Sequence, residues 1–506
     1  MSNYSVPGRF RHLLLSIASG LILALALPRP GTWIAAWVGL VPLLIALRGA
    51  GPWRASLCGF AAGLVYYGII LHWITLFGYL PWALLVIYEA LYIAVFAVLC
   101  VRLQPSRIGW PGYIAAPAAW VLLQFLQTLG PYAFTWGGFA HTQADNLPIA
   151  QIASVTGPWG IDFLVCLFNL ALAEAISRRS RRFLPLVAAG CLTIAVCAFG
   201  FTALRSSPES ASGRSIAIVQ GGLKNGFDVD PGYTDRALRT YVTLTSRAAE
   251  SRPDLIIWPE TALPADLTSP GWERLLGTLA RIARADLLVG GYSTSDDPFS
   301  SRVYNSLFLY NAAGQKAGVY RKVRLVPFGE FVPMRDRLPF LANYGIRPDD
   351  VLAARKHVLL SSRLGKLGVS ICFESIFPQI ARSETRAGAR MLCVVTNDAW
   401  FERTQAAGEH LMMAKLRAIE NRRYVLRAAE TGISAVIDPF GRTRRRLGLF
   451  RQGIISDKVR PSACLTIYTR WGDWFAYGCV AATLLGLTLS MRWSRGLSRE
   501  KRRRET

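Results

Sequence analysis

Apolar positions along the chain fall into two regimes. Through the first 204 residues, and again near 474–491, they form long runs interrupted by few charges; between about 214 and 460 they recur in short bursts. A helix that crosses ~30 Å of hydrocarbon needs about 20 mostly apolar residues. Eight stretches meet or approach that length: 12–27, 33–47, 58–78, 81–101, 113–129, 159–177, 184–203 and 474–491. The middle segment instead alternates β-rich runs (215–220, 255–258, 287–291, 306–310, 368–372, 391–396 and 433–438) with amphipathic stretches at 234–249, 272–284 and 408–421. Such alternation predicts an α/β domain with helices covering a sheet. The expected plan is seven spans at 1–204, a polar linker at 205–213, the α/β domain at 214–460, and a final span with a basic tail at 461–506.

Composition fits a multi-span helical membrane protein. Hydrophobic residues make up 52% and charged residues 18%, and the mean hydropathy is +0.29. The formal charge of +25 raises nucleic acid as a partner, but a nucleic-acid reader carries its basic stripe on a soluble fold. Here the arginines flank apolar runs. Arg9 and Arg11 precede the first span, Arg48 and Arg54 follow the second, and Arg102 and Arg107 follow the fourth. Arg178, Arg179, Arg181 and Arg182 follow the sixth, and a cluster from Arg492 to Arg504 follows the eighth. The opposite loops carry little beyond Arg29, and 130–158 has no Lys or Arg. The positive-inside rule then puts both termini in the cytoplasm and the α/β domain outside it. The first span has no convincing cleavage site and is read as retained.

Of nine cysteines, only Cys372, Cys393 and Cys464 fall in the soluble segment between the seventh and eighth spans. Their number and spacing fit neither a disulfide framework nor a zinc site. Three segments there join a strand end to a reactive residue: Trp258-Pro259-Glu260-Thr261; Tyr320-Arg321-Lys322 with the following Val326-Pro327-Phe328-Gly329-Glu330; and Ile371-Cys372-Phe373-Glu374. A Cys, a Glu and a Lys suffice for acyl transfer. The thiol is mostly protonated at neutral pH and needs a base. A carboxylate can take and return that proton. An ammonium can stabilise the tetrahedral oxyanion, with the Phe373 N–H as a second donor. The set calls for no histidine, metal or cofactor. Each residue also has a plainer reading: Cys372 and Cys393 as core, Glu260 as a helix-capping carboxylate, Lys322 as part of a solvated basic face, Glu330 and Glu374 as ion-pair partners.

The order Trp-Pro-Glu, Lys, Cys-x-Glu resembles the nitrilase superfamily. The fuller phrases resemble its membrane-bound apolipoprotein N-acyltransferases: Ile218 to Gly221, Trp258 to Thr261, Lys322 to Pro333, Cys372 to Glu374, Thr396 to Phe401, Phe134 to Trp136 and Tyr468 to Asp473. The resemblance implies an αββα sandwich in which Glu260 is the general base, Lys322 the oxyanion stabiliser and Cys372 the nucleophile. Glu330 would tune Lys322, and Phe373 and Glu374 would support the pocket. It implies a phospholipid acyl donor, a diacylglyceryl lipoprotein acceptor, a thioester intermediate, a monomer and residence in the bacterial inner membrane. Trp136, Trp400, Phe401 and Trp471 are candidates for the acyl-chain entrance, although aromatics are common near membrane interfaces.

The chain departs from the family phrases in three places. Phe373 stands where members often have Tyr. Gly222-Leu223-Lys224-Asn225 replaces Asn-Ile-Pro-Gln, with Val229 near an expected Trp. Glu402 to Glu409 replaces a Gly and Pro-containing phrase before His410. Two other readings compete: a membrane-anchored amidase or nitrile hydrolase of the same superfamily, and a transporter using His72, Glu89, Asp162 or Glu174 within its spans.

Overall fold

The computed structural model describes residues 8–27, 32–177, 183–205, 213–224, 232–297, 300–345 and 350–505. Arg29, the arginines of 178–182, linker positions 206–212, Asn225 and Val229 lie outside the described residues. The chain divides into two compact units, one formed by Met1–Ala203 with Asp473–Thr506, the other by Leu204–Gly472.

The first unit is helical. Each of the eight apolar stretches falls on helix, but they differ in reach. Tyr79–Ile108, Trp159–Ser177, Leu184–Arg205 and Trp474–Trp493 are long and apolar enough to cross a membrane. Phe10–Leu25, Trp33–Ala46 and Gly112–Leu126 are shorter. Small residues let helices approach closely. A Cβ on Gly63 would stand 2.7 Å from the Ala90 Cα, and one on Gly59 would stand 2.5 Å from the Ile93 carbonyl oxygen. Pro52–Ile70 and Tyr79–Leu103 therefore pack almost backbone to backbone.

The ionisable groups of this unit hold helices together. Glu89 accepts a hydrogen bond from Gln127. Asp162 accepts one from the Ala140 N–H at 2.9 Å. Glu174 pairs with Arg48 at 2.5 Å. Asn169 accepts from the Leu40 N–H and donates to the Ala36 carbonyl, both at 2.9 Å, across the break in the second apolar stretch.

The second unit contains two six-stranded sheets. In the first the order is β12 (Gly453–Val459), β1 (Arg214–Gln220), β2 (Leu255–Ile257), β3 (Asp286–Thr294), β4 (Val303–Tyr310), β5 (Lys316–Arg321). In the second it is β11 (Thr443–Leu447), β10 (Ser434–Ile437), β9 (Val425–Ala429), β8 (Met391–Thr396), β7 (Gly365–Ile371), β6 (Leu360–Ser362). The centres, β1–β3 and β7–β9, are parallel. Inner faces meet in one apolar core that joins Ile216, Ile257 and Leu309 to Val369, Val395 and Leu426. Tyr233–Ala249 and Pro270–Ala283 cover the first sheet; Pro378–Arg386 and Ala406–Asn421 cover the second. This is the four-layer αββα arrangement. Cys393 lies in the inter-sheet core.

The close helix approach is testable. Gly63→Leu should cost ~1–3 kcal/mol through overpacking and lower the melting temperature in detergent. Gly190→Leu, where an added Cβ meets nothing within 4 Å, should leave it unchanged. Equal melting temperatures for the two variants would refute the close packing.

Candidate active site

Trp258 ends β2 buried, its ring stacked on Tyr241 at 4.6 Å and its Nε1 donating to Thr245 at 2.9 Å. This anchor carries the chain into a turn at Pro259-Glu260, followed by Thr261 at a left-handed φ of 45°. The turn lies flat against β3 because position 290 is glycine: a Cβ there would meet the Pro259 carbonyl oxygen at 2.1 Å. Glu260 is thus delivered, buried, at the C-terminal end of a parallel strand, where α/β folds gather functional side chains.

Lys322 follows β5 and is 1% exposed, so it is not part of a solvated basic face. Its ammonium lies 3.3 Å from Glu260 and 2.9 Å from Glu330. Asn305 on β4 joins the same two carboxylates, its Nδ2 donating at 2.8 Å to Glu260 and 3.0 Å to Glu330. The Asn397 N–H donates to the other Glu260 oxygen at 2.7 Å. Burial alone would lower the Lys322 pKa, but Glu330 and Glu260 more than reverse that, and the ammonium is held protonated.

Cys372 begins a short 3-10 turn after β7, with φ at 51°. Burial first, then the Glu260 charge, push its thiol well up, against the pull of Lys322. The resting group is a neutral thiol, not a preformed thiolate. Glu374, fully buried, ties this turn to the lysine loop. Its carboxylate accepts from the N–H groups of Ile371, Val323 and Arg324 and from the Tyr320 hydroxyl, at 2.8–3.1 Å. Burial raises its pKa, and these donors oppose the rise.

Glu260, Lys322, Glu330, Cys372 and Glu374 therefore converge. Phe373 is buried and meets Phe377 edge-on at 5.2 Å. Trp400 and Phe401 end the short 3-10 turn Asp398–Phe401 that follows Asn397, and Phe401 lies 6.1 Å from the His410 ring. Trp471 is 71% exposed on the helix Ile467–Trp471. Trp136 belongs to the helical unit, against Trp73 and Phe134. The two altered phrases meet: Lys224 and Arg403 both lie over the Phe450 ring, at 5.6 and 4.9 Å. Sequence reasoning missed Asn305, although an Asn inside a strand is unfavourable unless it has a task. It also missed His357, whose Nδ1 is 2.9 Å from the Tyr320 hydroxyl.

Comparison with known proteins follows the same division. The apolipoprotein N-acyltransferase N-terminal domain model matches residues 19–171, and the carbon-nitrogen hydrolase model matches 215–466. The apolipoprotein N-acyltransferase of Geobacter metallireducens is 35% identical over 95% of this chain and 96% of its own. The chain belongs to the apolipoprotein N-acyltransferase family. A second apolipoprotein N-acyltransferase, from Methylococcus capsulatus, is 31% identical over 97% of this chain and 99% of its own. Among solved structures, Saccharomyces cerevisiae Nit3 of the nitrilase superfamily is 23% identical, covering 50% of this chain and 93% of its own with a TM-score of 0.39.

One buried acid in this family member titrates within reach of experiment. Glu430, just beyond β9, accepts from the Leu223 N–H at 3.1 Å and from the Tyr241 hydroxyl, so it holds the altered segment after β1. Burial pushes its carboxyl up to about 7. The folded protein then keeps a proton that the unfolded chain releases near its ordinary 4.5. This group's stabilisation is complete below about pH 4.5 and declines as pH rises toward 7, by up to ~1.4 kcal/mol per unit. Glu430→Gln should flatten the stability–pH curve over that window. A variant curve as steep as the wild type's would show that Glu430 is not the titrating group.

Proposed function

We propose that the chain moves a fatty acyl group from a membrane phospholipid to the α-amino group of the N-terminal diacylglyceryl-cysteine of lipoproteins. The observation that carries this is the convergence of Glu260, Lys322 and Cys372 at one end of the sandwich, in a chain whose relatives are named for N-acylation of apolipoproteins. In the first half-reaction the Cys372 sulfur attacks the ester carbonyl carbon and its proton passes to Glu260. Lys322 and the Phe373 N–H stabilise the oxyanion. The C–O bond breaks, Glu260 returns the proton to the departing alkoxide, and lysophospholipid leaves a thioester. In the second, the lipoprotein amine attacks the thioester, Glu260 takes the amine's proton, and the C–S bond breaks as the thiol is restored. Glu330 holds Lys322, and Glu374 and Phe373 shape the turn around the sulfur. Because the thiol is neutral at rest, proton transfer to Glu260 accompanies attack.

The helical unit, in this reading, comprises eight spans in a bacterial inner membrane, with both termini cytoplasmic and residues 214–460 periplasmic. The arginine distribution supports that orientation. Both substrates carry acyl chains that leave a bilayer only at ~0.8 kcal/mol per CH₂, so a site at the membrane surface meets them where they reside. The enzyme acts as a monomer. In this reading Trp136, Trp400, Phe401 and Trp471 are the candidates for the acyl-chain entrance.

Membranes carrying Cys372→Ala should retain folded protein and lose N-acylation of a diacylated lipoprotein. A labelled acyl chain should be trapped by the wild type on Cys372 and not on Cys393 or Cys464, and lysophospholipid should appear. Lipoprotein acylation by Cys372→Ala at the wild-type rate would remove the assignment; amide hydrolysis without lysophospholipid would favour the superfamily hydrolase. For orientation, the exposed Cys464 should react with a membrane-impermeant maleimide added from the periplasmic side. Reaction only after the inner membrane is opened would reverse the topology.

A further inference from the structure

Directly behind Cys372 lies a buried polar chain that the acyl-transfer steps leave unused. Asp398, His410, Ser375 and Arg427 are each 2% exposed or less. Arg427 donates to Asp398 at 2.7 Å and approaches His410 Nδ1 at 3.1 Å. Thr396 donates to Asp398 at 2.7 Å, and His410 Nδ1 is 3.3 Å from the same Asp398 oxygen. On its other edge, His410 Nε2 lies 2.7 Å from the Ser375 hydroxyl and 3.3 Å from the Cys372 carbonyl oxygen. Ser375 donates to that carbonyl at 2.8 Å.

Nδ1 faces an Arg427 N–H, which can only donate, and an Asp398 oxygen, which can only accept, so its role depends on the tautomer. The Ser375 Oγ lies within hydrogen-bond distance of both the Cys372 carbonyl, to which it donates, and His410 Nε2. Burial, and then the Arg427 charge, hold the His410 pKa down, which keeps the ring neutral. Asp398 stays ionised: burial would raise it, but Arg427 and His410 hold it at about 2.

The target of this chain is informative. The Cys372 carbonyl and the Phe373 N–H belong to one planar peptide unit. The Ser375 hydroxyl donates to the carbonyl and is itself held by His410 Nε2, which fixes that plane and with it the direction of the N–H on the opposite side. This donor also polarises the amide, which strengthens its N–H as a donor. A non-glycine residue at φ 51° occupies a sparsely populated region and stays there only if its surroundings hold it. We propose that Ser375 and His410, backed by Asp398 and Arg427, are positioning residues that clamp the Cys372–Phe373 peptide so that the Phe373 N–H is aimed at the oxyanion. This rests on the reading of Cys372 as nucleophile and of that N–H as an oxyanion donor.

The clamp predicts a separation between two reactions of the same sulfur. Acylation by an ester passes through a tetrahedral oxyanion; alkylation by iodoacetamide is a direct displacement and does not. In purified full-length enzyme, Ser375→Ala and His410→Leu should slow single-turnover acylation of Cys372 by phospholipid about 10- to 100-fold, within the range for losing oxyanion stabilisation. Alkylation of Cys372 and the KM for phospholipid should change by no more than about twofold. His410→Gln, which keeps a hydrogen-bonding group near the Nε2 position, should recover part of the loss. Should His410→Leu fail to fold, Ser375→Ala and His410→Gln decide the matter. Parallel loss of acylation and alkylation would mean a general collapse of the site and overturn the clamp, as would unchanged acylation in Ser375→Ala. Failure of the underlying reading gives a different result: Cys372→Ala would still transfer acyl chains.

Discussion

An ammonium removed from water is the constraint around which the αββα unit is arranged. Lys322 is almost wholly buried, and an unpaired charge there would cost several kcal/mol. Glu260 and Glu330 neutralise it from two directions, and Asn305 bridges the two carboxylates. Each partner brings its own element: the turn after β2, the segment after β5, and the first part of β4. Because none can move without exposing the others' charges, the lysine acts as a positional lock.

Cys372 is coupled to that lock through a third carboxylate. Glu374 accepts donors from both the cysteine turn and the lysine loop, so the sulfur and the ammonium share one buried scaffold. The cysteine occupies a left-handed backbone conformation and carries a thiol whose pKa is raised. The raised pKa opposes a freely ionised thiolate.

The helical unit uses polar groups differently. Glu89, Asp162, Glu174 and Asn169 each satisfy a neighbouring helix, loop or broken segment. They read as connectors that let short and interrupted helices pack, with glycines such as Gly59 and Gly63 allowing close approach.

Sequence alone determined the apolar stretches that became helices and the central strands other than β9. It also singled out Glu260, Lys322, Cys372, Glu330 and Glu374, because local hydrophobic periodicity and short motifs are properties of contiguous residues. It did not reveal β5, β6, β9, β11 or β12: β6 has only three residues and the others carry arginine or glycine, and each becomes a strand by pairing within its sheet. Nor did it single out Asn305, Ser375, Asp398 or Arg427 as site residues. Asn305 meets Glu260 across 45 positions of sequence and Arg427 meets Asp398 across 29. Only the tertiary structure brings such residues together, because hydrogen bonds between remote side chains exist only after the strands have paired and the stacked sheets have excluded water. That stacking changed Lys322 from one basic residue among several into a buried, doubly paired cation.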